Sequence, residues 1–313
     1  MISRRNIRIK VMQSLYALES YATEDEKNIA LEQEKGLKLL IKNINQASEL
    51  LNVSLLYLSK IMSYAAIDAQ NRQAKYLPTQ EDLNVSKKIT DNYLLLELLE
   101  NISFRKCVTE GNLEGKIEQE NIKKVYQNLC QQETYLNYVS NEERTKEEDK
   151  KIIKFIWEEL MLADENFQDF MNDNFDGWED DQELIKVLVG NFFSKPQKVN
   201  FQKFISFEKM DYAKELLTTT LEKETYLMEC INPKLKNWDA ERVAMIDLIL
   251  LRLGLSELLY FPTIPTKVTI NEYIEIAKKY STDQSGQFVN GVLDNLLKEL
   301  TQENKIRKID RKS

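Results

Sequence analysis

Four basic residues near the start of the chain are the clearest candidates for binding chemistry. Arg4, Arg5, Arg8 and Lys10 all precede the first acidic residue, Glu19, in a chain whose formal net charge is −8. Cations at a helix N-terminus oppose the helix dipole, so a segment selected for stability alone would carry acids there. Arg4 and Arg8 lie one helical turn apart and could meet successive phosphates along one face. The pattern favours an anionic partner; the alternative is a solvated cluster of terminal charges.

An acidic segment, NDNFDGWEDDQE at residues 172–183, is a candidate calcium loop. Its side chains fall at the ligand positions and the glycine turn of an EF-hand: Asn172, Asn174, Asp176, Gly177 and Glu183. The first position normally carries Asp, and the chain contains no second loop of this kind. An acidic turn between two helices is therefore favoured over a metal site.

The composition argues against an enzyme. The chain has no histidine, the commonest general base and metal ligand. It also lacks the glycine-rich phosphate loops and the nucleophile-elbow motif. Cys107, Cys130 and Cys230 are widely spaced, which indicates a reducing compartment. No signal peptide is apparent, and Asp247 and Arg252 interrupt the longest apolar run. We therefore expect a cytoplasmic protein with no enzymatic activity, cofactor or membrane span.

Few breakers and a helical period of apolar residues predict an all-α fold. Only eight Gly and five Pro occur in 313 residues. Residues 23–76 carry apolar positions at three- and four-residue spacing, which predicts one or two long helices. We favour a helix hairpin over a coiled-coil seam because the heptads are not strict. Further helices are predicted through residues 89–230.

Three helices are predicted between Asp239 and Leu300. Asp239 should cap the first, which ends at Phe261-Pro262 and should be buried nearly all round. Thr269 and Glu272 match a capping box for the second. Polar residues at 281–285 start the third. Gly291 lies inside that helix, which suggests close approach of its backbone to a neighbour or ligand.

This region resembles the C-terminal half of the NusB family of transcription antitermination factors. The elements P-x-K-V-x-I-N-E, I-A-K and F-V-N-G-V-L-D occur in the family's order and spacing within residues 265–294. The segment SRRNIRIKVMQSLYALES also resembles the basic first helix of that family. The two segments cover somewhat under half of the chain.

The resemblance implies a helical bundle that pairs with NusE, a ribosomal protein, binds boxA-type single-stranded RNA and joins an antitermination complex on RNA polymerase. By position, it implies RNA contacts from two groups of residues: Arg4, Arg5, Arg8 and Lys10, and Gln284, Gln287, Phe288 and Asn290. Phe288 could stack on an unpaired base or pack in the core. Asp247 and Glu257 match the NusE-binding surface, with a buried structural role as the alternative. Gln284 stands where the family often has an acid.

The chain departs from the family in its length. The expected layout is a first helix at 1–20, a helical extension at 21–204, the NusB-like core at 205–300 and a frayed basic tail at 301–313. One alternative is a helical interaction scaffold that kept the fold without binding RNA. Another is an rRNA cytosine methyltransferase, some of which carry a NusB-like domain. We expect no such activity because no cofactor-binding α/β pattern follows.

Overall fold

The computed structural model describes residues 2–20, 28–237 and 243–309, and every regular element in these residues is a helix. The predicted all-α fold is confirmed. The first ten helices are α1 (Arg4–Ser20), α2 (Ile29–Gln73), α3 (Gln80–Leu83), α4 (Tyr93–Glu100), α5 (Ile102–Glu110), α6 (Gln119–Leu129), α7 (Glu133–Ser140), α8 (Lys146–Phe155), α9 (Glu165–Asn174) and α10 (Trp178–Ser194). The last five are α11 (Phe207–Glu222), α12 (Glu224–Ile231), α13 (Met245–Tyr260), α14 (Thr266–Tyr280) and α15 (Ser285–Gln302). A π-helical segment, Ile156–Met161, extends α8, and short 3-10 turns join several of the others.

Helix α2 is one continuous element of 45 residues. The favoured hairpin is therefore wrong and a single long helix is correct: no proline interrupts Ile29–Gln73, and most apolar positions from Leu40 to Ala69 are buried. Among the described helices, α2 is long and apolar enough to cross a membrane, but 78% of its most apolar window is buried inside the protein. That burial is typical of a core helix in a soluble protein.

Contacts divide the chain into two compact units. The core unit comprises Ile2–Ile44 and Ile205–Ser313. The other unit comprises residues 45–204, and we call it the inserted unit because it lies between the two segments of the core unit in the sequence. The extension was expected from residue 21, whereas the start of α2 packs within the core unit: a Cβ on Gly36 would lie 3.1 Å from Leu217 Cδ2.

The inserted unit has its own aromatic core. The Phe167 ring lies 4.9 Å from that of Tyr57 and 5.8 Å from that of Trp178, in edge-to-face geometry. A buried carboxylate also ties three helices together. Asp149 in α8 accepts hydrogen bonds from the Tyr138 hydroxyl at 2.6 Å and from the Tyr93 backbone N–H at 2.9 Å. The inserted unit therefore holds a hydrophobic and polar core of its own.

Helix α13 is the centre of the core unit, as its apolar circumference predicted. It packs against α1, α11, α12, α14 and α15. It begins at Met245, so Val243 precedes it, and the proposed cap Asp239 lies outside the described residues. It ends before Phe261, as expected.

The capping box predicted for α14 is wrong. Helix α14 begins at Thr266 after Pro265, so Thr269 lies inside the helix. A side chain at Gly291 of α15 would meet nothing within 4 Å, so no neighbouring helix approaches that glycine closely, and approach of a ligand there stays a prediction. The close approach occurs at Gly254 in α13, where a Cβ would lie 2.8 Å from Leu293 Cδ1 of α15.

Candidate nucleic-acid interface

The first turn of α1 places two arginines at the surface of the core unit. The Arg4 side chain is 37% exposed, and its Nη2 lies 2.9 Å from Glu208 Oε1 of α11. The Arg5 side chain is 50% exposed and donates two hydrogen bonds, of 2.7 and 2.9 Å, to the Glu272 carboxylate of α14. Both cations are accessible, and each already has a carboxylate partner.

Arg8 and Lys10 lie inside the core unit, only 2% and 4% exposed. The expectation that Arg4 and Arg8 share one phosphate-facing side of α1 is therefore not met. The reason is visible in the sequence, because Arg8 falls three and four residues before Val11 and Met12, on the buried stripe of the helix. A cation on that stripe requires a buried anion.

That anion is Glu257 of α13, which is fully buried. Arg8 Nε and Nη2 donate hydrogen bonds of 2.8 Å, one to each oxygen of the Glu257 carboxylate. The hydroxyls of Tyr212 and Thr269 donate one hydrogen bond each, both at 2.6 Å. Burial alone would raise the pKa of Glu257, but the hydrogen bonds and charge of Arg8, with the two hydroxyl donors, hold it below its ordinary value. Glu257 is therefore an ionised internal anchor for α1.

The two acids that matched the NusE-binding surface are thus both internal. Asp247 is 5% exposed, and its Oδ2 accepts a 2.7 Å hydrogen bond from the hydroxyl of Ser285 at the start of α15. Asp247 and Glu257 can influence a partner surface only by fixing the helices that form it. The alternative given for both residues, a buried structural role, agrees with their positions in the fold.

The four residues matched to RNA contacts at the start of α15 lie in two different environments. Gln284, Gln287 and Asn290 are exposed. Phe288 is only 5% exposed. It belongs to the apolar stripe that continues through Val292, so its ring packs in the core unit and does not face an incoming base. Sequence reasoning had left core packing open for this aromatic.

A cleft of about 270 Å³ connects α1 with the end of α14. It is lined by Arg5, Ile9, Glu275, Ile276, Lys278, Lys279 and Tyr280. Lys278 also lies against the start of α15, because a Cβ on Gly286 would come within 2.8 Å of Lys278 Cγ. The cleft therefore extends from Arg5 to Lys278, which lies against the start of α15. Sequence analysis missed Lys278 and Lys279, since two adjacent lysines at a helix end resemble ordinary dipole-matching residues.

The acidic segment at 172–183 forms a turn between α9 and α10. Asn172 and Asn174 belong to α9 and Glu183 to α10, while Gly177 adopts a left-handed φ of 78°. The side chain of Asp176 accepts a 3.1 Å hydrogen bond from Gln46. Within the described ranges, no group of three or more histidine, cysteine or acidic side chains is arranged to hold a metal.

The start of the C-terminal tail is docked, contrary to the expectation of fraying. Lys308 Nζ donates 2.9 Å hydrogen bonds to the backbone carbonyls of Glu257 and Phe261 at the end of α13. The backbone N–H of Ile309 donates to the Pro262 carbonyl at 3.0 Å. Burial lowers the pKa of Lys308 to about 8. Both carbonyls also accept a backbone N–H, so the lysine adds a second, charged donor at the negative end of α13.

Comparison with known proteins places this arrangement in a family. A sequence model described as the NusB family matches residues 180–298, from α10 to α15. The transcription antitermination protein NusB of Clostridium botulinum is 39% identical over 110 residues, which are 35% of this chain and 79% of that protein. The chain belongs to the NusB family.

Other relatives match over a smaller share of their length. The NusB protein of Methylacidiphilum infernorum is 55% identical over 71 residues, 23% of this chain and 50% of that protein. The chain spans 63% of the Salinibacter ruber NusB protein, with 44% identity. A T. maritima NusB structure is 32% identical and aligns over 38% of this chain and 89% of that one, at a low TM-score of 0.30. Membership therefore rests on the sequence matches.

Proposed function

We propose that this NusB-family protein is a cytoplasmic, non-enzymatic RNA-binding factor in transcription antitermination. It would pair with NusE, bind boxA-type single-stranded RNA and help to assemble an antitermination complex on RNA polymerase. Its named relatives are transcription antitermination proteins. The observation that supports the RNA-binding role is the cleft between α1 and α14, which has the exposed Arg5 on one side and Lys278, packed against the start of α15, on the other. The proposed RNA surface comprises this cleft, Arg4 and the exposed Gln284 and Gln287.

The charges and shape of this surface suit single-stranded RNA. Arg4 and Arg5 can neutralise phosphates, while exposed amides such as Gln284 and Gln287 can hydrogen-bond to the edges of unpaired bases. The acidic chain as a whole would repel RNA, so binding has to depend on this local patch. Binding should therefore weaken steeply as the salt concentration rises.

Pairing with NusE rests on the family resemblance. Because Asp247 and Glu257 are buried, the partner surface would be built by exposed residues of the helices that these two acids hold in place. A substitution at either acid should therefore disturb the fold of the core unit together with any partner binding.

The test is a fluorescence-anisotropy titration of a labelled boxA-like RNA with the full chain, with and without NusE, at two salt concentrations. We expect binding that NusE strengthens and salt weakens. Arg4→Gln and Arg5→Gln should each reduce the salt dependence by about 0.7 in the log–log slope, the contribution of one phosphate on a single strand. The matched control is Lys298→Gln, which removes an exposed lysine of α15 that pairs with Asp294. It should change neither the affinity for RNA nor its salt dependence.

Gln284 offers a second check on the location of the site. Gln284→Asp adds a negative charge at the exposed start of α15 and should weaken RNA binding. Absence of binding with and without NusE would refute the proposal.

The alternative function is a helical interaction scaffold that does not bind RNA. It is favoured by one observation: Arg4, Arg5 and Arg8 are all engaged with carboxylates. The scaffold predicts that wild-type protein and the Arg4→Gln variant fail to bind RNA equally, although both are folded. The RNA-binding proposal predicts a measurable difference between them.

A further inference from the structure

An exposed aromatic ring lies beside the start of α1. Phe207, the first residue of α11, is 82% exposed, whereas Phe288 at the predicted stacking position is 5% exposed. Single exposed apolar residues are common on protein surfaces. Phe207 differs from an isolated exposed side chain because the two residues that follow it contact the start of α1.

Two contacts hold the first turn of α11 against the basic end of α1. Glu208, the residue after Phe207, lies 2.9 Å from Arg4. Lys209 Nζ donates a 2.7 Å hydrogen bond to the backbone carbonyl of Ile2. The backbone of Phe207 is therefore held next to Arg4, at one end of the proposed RNA surface.

Arg4 supplies a cation at this position. Its guanidinium is partly exposed and lies beside the first turn of α11. A nucleotide combines a phosphate for Arg4 with a flat base for the ring of Phe207.

We propose that Phe207 is the stacking platform for an unpaired base of the bound RNA, with Arg4 holding an adjacent phosphate. The inference rests on the proposed RNA-binding function and assigns it a residue outside the positions matched to the family. The chemistry of the ligand is a single-stranded nucleotide segment, since a base in a duplex does not offer a free face.

Arg4 can change partners at little energetic cost. Its ion pair with Glu208 is solvent-exposed, and such pairs contribute little to stability. A phosphate can therefore replace the Glu208 carboxylate without disturbing the core unit. Stacking on Phe207 accepts any base, because every base presents a π face. Phe207 should therefore raise affinity for different RNA sequences alike.

The test measures binding of a single-stranded boxA-like RNA to the full chain carrying Phe207→Ala, Phe207→Tyr or Tyr76→Ala. Loss of one stacked base corresponds to an affinity decrease of about 5- to 150-fold, which we expect for Phe207→Ala. The salt dependence should stay unchanged, because no charge is removed. Phe207→Tyr keeps the ring and should bind like the wild type. Tyr76 is 97% exposed in the inserted unit, so Tyr76→Ala controls for loss of an exposed aromatic.

A second readout distinguishes stacking from a general loss of affinity. RNA labelled with 2-aminopurine should show fluorescence quenching with wild-type protein and less quenching at saturation with Phe207→Ala. If wild-type protein binds and Phe207→Ala binds within twofold of it, the inference is wrong and the proposed function stands. If wild-type protein fails to bind with and without NusE, both fail. Circular dichroism verifies that the variants are folded.

Discussion

Replacing Glu257 by glutamine should destabilise the core unit strongly, although the side chain keeps its size. Glu257 Oε1 accepts hydrogen bonds from Arg8 and Thr269, and Oε2 accepts them from Arg8, Tyr212 and, at 3.4 Å, Tyr273. Whichever oxygen becomes the amide nitrogen, its N–H groups face an N–H donor of Arg8 and at least one hydroxyl that now donates to that oxygen. The change also leaves the buried guanidinium without its ionic partner.

The burial of the Arg8–Glu257 ion pair sets the size of the expected loss in the free energy of unfolding. Breaking a buried ion pair by removing one partner costs about 3–5 kcal/mol. Arg8 keeps a second carboxylate, Glu272, at 3.6 Å, which compensates part of its charge. We therefore expect a loss near the lower end, about 3 kcal/mol. Glu208→Gln, which breaks the exposed Arg4 pair, is the control and should cost about 0–1 kcal/mol.

Urea unfolding followed by circular dichroism measures both variants, and hydrogen exchange of α13 peptides assigns the effect to the core unit. Arg8→Met combined with Glu257→Gln should recover part of the loss, because no uncompensated charge remains. A Glu257→Gln loss below about 1 kcal/mol would show that the pair is not the anchor inferred here.

Acid should destabilise the wild type through the same group. The pKa of Glu257 is lower in the folded than in the unfolded chain, so its stabilising contribution is complete above about pH 4.5, the ordinary value. That contribution is lost as the pH falls through the folded pKa. The Glu257→Gln variant lacks this part of the acid dependence, which urea midpoints measured between pH 3 and 6 can detect.

Three further predictions follow from local geometry. Gly254→Ala should destabilise the protein by about 1–3 kcal/mol, because the added Cβ would lie 2.8 Å from Leu293. Gly291→Ala adds its Cβ in open space and should stabilise the protein by up to about 1 kcal/mol. Equal urea midpoints for the two variants would contradict this prediction. The side chain of Lys308 should titrate near pH 8 by NMR, and a midpoint near 10.5 would mean that it is not buried. Glu208→Gln should tighten RNA binding in the anisotropy assay, since it removes the carboxylate that competes with phosphate for Arg4; weaker binding would argue against phosphate exchange there.

Local sequence patterns predicted most of the helices of the core unit because its helices have clear apolar stripes and breakers. The end of α13 at Phe261 and the start of α15 at Ser285 were predicted on these grounds. The Thr269 capping box failed because the side chain has a better tertiary partner, the carboxylate of Glu257, while Pro265 starts the helix one turn earlier. A local motif cannot reveal such a competitor.

The candidate site was less predictable because burial depends on neighbours distant in sequence. Arg8 and Glu257 are 249 positions apart, and neither one identifies the other from its own helix. A lone base on the apolar stripe of α1 and a lone acid in the nearly all-apolar α13 were the available signals. Read together, they predict a buried pair. Phe207 had no comparable signal, since nothing in the sequence distinguishes an exposed helix-start aromatic from one in the core.

The cations of α1 can be ordered by how readily each exchanges its carboxylate for a phosphate. Arg4 pairs with Glu208, which is 80% exposed, and Arg5 pairs bidentately with Glu272, which is 19% exposed. Arg8 pairs inside the core unit and cannot exchange without breaking it. Neutralising Arg4 should therefore reduce RNA binding with little loss of stability, and neutralising Arg8 should mainly reduce stability. Arg5 should show both effects. The helix-dipole argument for an anionic partner consequently applies to the first turn of α1, where Arg4 pairs with the exposed Glu208 of α11.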